Sequence, residues 1–97
     1  MNIALDYDNT YTRDPDFWRI VISEAQSKGH EVYCVTARTQ QQSKEVYDTI
    51  GKLIGYGNCF FTSMRAKKPF MFSNGISIDV WIDDMPFFIE NGVTIGC

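Results

Sequence analysis

The chain is poor in the features that would place it outside ordinary globular proteins. It has no apolar run near the 18 or so residues of a membrane span, so it is not expected to embed in a bilayer. It has no basic field: Lys and Arg total 9 against 12 Asp and Glu, a formal charge of −3. That balance argues against nonspecific nucleic-acid binding, which needs clustered cations. The 3 cysteines, Cys34, Cys59 and Cys97, are odd in number and lack metal-type spacing. Buried free thiols in a reducing cytosol are expected rather than a disulfide framework. The single histidine, His30, follows Gly29 at an expected helix end and is not a candidate for catalysis. Repeats, low-complexity stretches and linkers are missing, and the opening residues read as a strand rather than a signal peptide, so a cytoplasmic protein is expected. Ninety-seven residues, 44% hydrophobic and 22% charged, leave room for one small domain and one modest core.

The informative stretch is Ile3-Ala4-Leu5-Asp6-Tyr7-Asp8-Asn9-Thr10. Its apolar start reads as a short buried strand. Side chains two apart on a strand point the same way, so Asp6 and Asp8 should project together from its C-terminal end. Two adjacent carboxylates repel each other and serve no packing purpose. A divalent cation relieves the repulsion, and Mg²⁺ is commonly held by one or two carboxylates plus substrate phosphates. An Asx-rich turn is the competing reading of the same residues.

The rest of the chain alternates strands and helices. Asp14-Pro15 opens a helix over 15–28, with Phe17, Trp18, Val21, Ile22 and Ala25 on one face. Val32 to Val35 forms a strand ending at Thr36, and a second helix opens over 39–43 and carries Val46, Tyr47, Ile50, Leu53 and Ile54. Cys59 to Phe61 is a third strand, followed by one helical turn through Phe72. Ile78 to Ile82 is a fourth strand, Pro86 to Glu90 a short helix, and Gly92 to Ile95 a closing edge strand. This alternation predicts an α/β fold: a small Rossmann-like three-layer sandwich with a mainly parallel sheet of four to five strands. Ligands in such sheets bind beyond the C-terminal strand ends where strand order reverses.

The polar residues fall at those ends. Asp6 and Asp8 end strand one, Thr36 strand two, Asp83 and Asp84 strand four, and Lys67-Lys68 precede strand four. Each type has a role in phosphoryl transfer: a carboxylate nucleophile, a second carboxylate as acid and base, a hydroxyl and an ammonium on the phosphoryl oxygens, and further acids for a metal.

The pattern resembles the haloacid dehalogenase superfamily. Asp6-Tyr7-Asp8-Asn9-Thr10 is similar to its first motif, Asp-x-Asp-x-Thr after an apolar strand. Val35-Thr36-Ala37-Arg38 is similar to the second, Lys68-Pro69 to a common form of the third, and Trp81-Ile82-Asp83-Asp84 to the fourth. The four occur in the family's order over residues 3–84. The resemblance is to the small cap-less members found in phages and bacteria, since the loop 9–14 is too short for an inserted cap.

The resemblance implies a Mg²⁺-dependent phosphatase acting on a phosphorylated small molecule such as a sugar phosphate, a nucleotide, or a phosphorylated nucleic-acid end. It implies Asp6 as nucleophile, Asp8 as general acid and base, Thr36 as phosphoryl ligand and Lys68 as the neutralising cation, with Lys67 able to take its place. It also implies Asp6, Asp8, Asp83 and Asp84 as metal residues. Thr10, Arg38 and Lys67 are further candidates for contacting substrate. Asn9 departs from the usual glycine of the first motif, but Asn tolerates a left-handed backbone. A binding module that keeps the metal site with little turnover is the alternative. Phe70, Phe72, Phe87 and Phe88 are more apolar surface than the terminal segments can bury, so a homo-oligomer, most simply a twofold dimer, is expected.

Overall fold

The computed structural model describes residues 1–92. Beyond Gly92, the expected strand over 92–95 lies outside them, as does Cys97. Four strands form one sheet, β1 (Asn2–Leu5), β2 (Glu31–Thr36), β3 (Cys59–Phe61) and β4 (Val80–Ile82), in the order β3-β2-β1-β4. Every pairing is parallel, with Leu5 opposite both Cys34 and Ile82 and Thr36 opposite Phe61. The chain therefore builds outward from β1 to β3 and then returns to the other side of β1. The order reverses at the strand that carries Asp6 and Asp8.

Alternation divides the core. Leu5, Cys34, Cys59 and Phe61 lie in one cluster with Ile22 of α1 (Pro15–Ser27), Val46 of α2 (Lys44–Asp48) and Ile54 of α3 (Gly51–Ile54). Their neighbours Ala4 and Val35 lie in a second cluster with Met71 of α4 (Lys67–Ser73), and Tyr33, Phe60 and Trp81 pack against it. Such opposite parity is what a sheet buried on both faces requires. A short α5 (Phe87–Glu90) packs beside α4.

The expected α1 forms as read, capped by Asp14 Oδ1, which accepts from Phe17 N at 3.2 Å. The single helix expected after residue 39 is instead a 3-10 turn followed by α2 and α3. The break falls at Thr49, whose backbone lies at φ −113° and ψ −95° and whose hydroxyl donates to the Glu45 carbonyl at 2.7 Å, a local bond that competes with the helical ladder. Tyr7, buried in the core, reaches the same hydroxyl at 3.0 Å. Cys34 and Cys59 are buried free thiols as expected, with burial raising both above the usual thiol range and Cys59 to about 11. Of the aromatic residues expected to be in excess, Phe72 and Phe87 are exposed, while Phe70 packs against the second cluster.

Candidate functional site

The sheet delivers its polar residues to one cleft. A cavity of about 180 Å³ at the C-terminal strand ends is lined by Asp6, Asp8, Thr36, Lys67, Asp83 and Asp84 among others. Asp6 follows the last residue of β1 and donates its backbone N–H to Ile82 O at 2.9 Å, which ties the nucleophile candidate to β4. Thr36 is 1% exposed and accepts from Arg38 N at 3.3 Å.

The centre of the site is Lys67. Its ammonium donates to Asp6 Oδ1 at 2.9 Å and to Asp83 Oδ2 at 2.6 Å, all three side chains being almost fully buried. The Thr10 hydroxyl lies 3.3 Å from both Asp6 Oδ2 and Asp84 Oδ1, and accepts from Asp84 N at 3.2 Å. One carboxylate oxygen each from Asp6, Asp83 and Asp84 lie within 4.8 Å of one another. Two of these acids bond the Lys67 ammonium, and the third, Asp84, joins them through Thr10. Burial, reinforced by Asp84 and Asp83, outweighs Lys67 and raises Asp6 from 3.8 to about 7. Burial pulls Lys67 down, but its bonds to Asp83 and Asp6 prevail and raise it. The Asp6 shift is thus chiefly a cost of burial, and the Lys67 shift the effect of its two carboxylate partners. An all-oxygen donor set of three carboxylates suits a hard divalent cation.

Lys68, expected to be the neutralising cation, stands elsewhere. It is exposed and its nearest acid is Glu90 at 3.5 Å on the surface. Helical phase decides between the two lysines: Lys67 and Met71, four apart on α4, are buried, whereas Phe72, four beyond Lys68, is exposed. Arg38, expected to contact substrate, is bound within the protein. It grips both oxygens of Asp8, at 2.9 and 2.8 Å, reaches Glu45 at 3.2 Å, and lies 5.0 Å from the Tyr7 ring centre. These bonds hold the Asp8 carboxyl below the usual carboxylate range.

Two cleft residues, Met64 and Met85, escaped the sequence reading, and Phe88, expected as surplus apolar surface, lines the cleft as well. Periodicity offers no signal for Met64 and Met85, because they sit on the turns after β3 and β4, whereas Phe88 lies on α5. No family model, curated protein or solved structure matches the chain. The functional reading therefore stands on the residues of this cleft.

Proposed function

We propose that the protein is a Mg²⁺-dependent phosphatase that works through an aspartyl-phosphate on Asp6. The observation that supports this most is Lys67, whose ammonium joins Asp6 to Asp83 inside a cleft that also holds Asp8, Asp84 and Thr36. In this reading a carboxylate oxygen of Asp6 attacks phosphorus while the bond to the leaving alcohol oxygen breaks. That oxygen takes a proton from Asp8. Water then attacks the same phosphorus, giving its proton to Asp8, and the bond to Asp6 breaks to release inorganic phosphate. Lys67 and the Thr36 hydroxyl hold the phosphoryl oxygens as charge redistributes. Mg²⁺ held by Asp6, Asp83 and Asp84 would neutralise the phosphoryl group and keep Asp6 ionised despite its burial. The substrate class comprises phosphorylated metabolites, nucleotides and phosphorylated nucleic-acid ends.

Arg38 adds a condition. While it grips Asp8, that carboxyl is ionised and has no proton to give. Proton donation requires the pair to open, and an arriving phosphate dianion is the natural competitor for the guanidinium. The same pair supports the second reading, a binding module in which Asp8 stays engaged and turnover is slow.

Brief exposure to an aryl phosphate with Mg²⁺, followed by intact-mass analysis, separates the two. Asp8→Asn should accumulate one phosphoryl group and lose roughly 10²–10⁴-fold in turnover. Asp6→Asn should gain no phosphoryl group and lose turnover altogether. Equal labelling of the Asp6→Asn protein would remove Asp6 as nucleophile, and no turnover by the unmodified protein would leave the binding module.

A further inference from the structure

We propose that the cleft selects phosphate esters whose alcohol carries an aromatic ring close to the phosphate, held by Met64, Met85 and Phe88. The inference rests on the phosphatase reading and names its substrate class. The catalytic steps use none of these three side chains, yet all line the cleft that holds Asp6. Met64 and Met85 are 41% and 51% exposed, so both thioethers are open to a group entering the cleft.

Met64 is also held there against its backbone preference. Ser63 and Met64 take φ of 54° and 68°, the left-handed region that non-glycine residues avoid. Such strain persists only where the surroundings enforce it, and it concentrates at functional sites. The enforcement is visible: Ser63 N and Met64 N donate to Arg38 O and Ala37 O at 3.2 and 3.0 Å. Gly92 closes the other side so tightly that a Cβ there would come within 3.1 Å of Ala66 N.

The chemistry of this wall favours a ring over a polyol. Thioethers and a phenyl ring make favourable contacts with an aromatic face. Sugar hydroxyls set against the same wall would lose water without gaining partners. Arg65, on the same rim, is anchored by the protein: its Nε donates to Thr62 O at 3.0 Å and its guanidinium sits 5.1 Å from the Phe70 ring centre. A cavity of about 180 Å³ has room for a phosphate and one ring near it.

The test uses ester pairs matched in leaving group, all primary alcohols: benzyl against propyl phosphate, and adenosine 5′-monophosphate against ribose 5-phosphate. The chain has 4 methionines, so ¹³C-methyl labelling gives few resonances, with buried Met71 as an internal control. The ring-bearing member of a pair should shift the Met64 and Met85 methyls and leave Met71 still. Its kcat/KM should exceed its partner's by about tenfold or more, and Phe88→Ala or Met64→Asn should shrink that ratio. Asn is chosen at 64 because it tolerates the left-handed backbone. Preference in the benzyl pair alone marks a simple aryl group, and preference in both pairs admits a nucleobase. Equal kcat/KM within both pairs would overturn the inference while leaving the phosphatase standing. Methyl shifts without turnover of any ester would keep the inference and remove the phosphatase. Methyls unmoved by every ester would overturn the inference.

Discussion

Lys67 and Lys68 are adjacent in sequence and opposite in circumstance. Lys67 is 3% exposed between two buried carboxylates, so removing its charge strands both. Lys67→Met should destabilise the metal-free protein by about 3 kcal/mol or more, the usual cost of breaking a buried pair, and should abolish turnover. Lys68→Met removes only a surface contact with Glu90, and should change stability by no more than about 0.5 kcal/mol. Urea denaturation of both variants checks this, and equal losses would put the wrong lysine at the centre of the site. Thr62 offers the opposite case. Its hydroxyl is fully buried and finds no hydrogen-bond partner among the described residues. Thr62→Val keeps the shape and removes the stranded group, so it should stabilise by about 1 kcal/mol, again by urea midpoint.

At the scale of elements, each strand end could be read from the sequence, and the turns beyond them could not. The run Ile3 to Leu5 into Asp6 and Val80 to Ile82 into Asp83 are apolar segments that stop at acids, a pattern visible without coordinates. The choice of lysine depends on the phase of α4. The sequence leaves that phase open because Met71 and Phe72 are both apolar, though only Met71 is buried. The break at Thr49 was equally hidden, since the apolar spacing runs through it while the residue's backbone leaves the helical region, at φ −113° and ψ −95°. Asn9 shows the reverse, a turn legible from residue type. Its φ is 62°, the left-handed conformation that its place in the first motif suggests. Asn9→Gly should leave stability within about 0.5 kcal/mol, whereas the β-branched Asn9→Val should cost about 1–2 kcal/mol. Matching denaturation midpoints for the two variants would show that the turn relaxes in solution.

The whole molecule sets these elements around one parallel sheet whose order reverses at β1, and that topology gathers three acids, two of them bonded to one lysine. Among the described residues no helix is long and apolar enough to cross a membrane. The architecture followed from alternation of strand and helix; the electrostatic cost of the site did not, because it depends on burial. That cost has a readable sign. Asp6 is raised from 3.8 to about 7, chiefly by burial, so between those values the folded protein holds a proton that the unfolded chain has released. Stability therefore falls as pH rises from about 4 to about 7. Asp8 is shifted downward, so its contribution is complete above 3.8 and is lost only at lower pH; Lys67 is shifted upward from 10.5 and acts only above that. Neither opposes Asp6 within the window. The metal-free protein should melt at progressively lower temperature from pH 5 to pH 8. On the proposed function Mg²⁺ would bind the ionised carboxylates and stabilise by mass action, so its increment in Tm should be larger at pH 8 than at pH 5. Asp6→Asn should flatten the pH dependence and shrink the Mg²⁺ increment together. Scanning calorimetry of both proteins with Mg²⁺ or with chelator measures each quantity. A Mg²⁺ increment that survives undiminished in Asp6→Asn would separate the cation from this carboxylate, and a melting temperature that rises from pH 5 to pH 8 would contradict the sign derived from its burial.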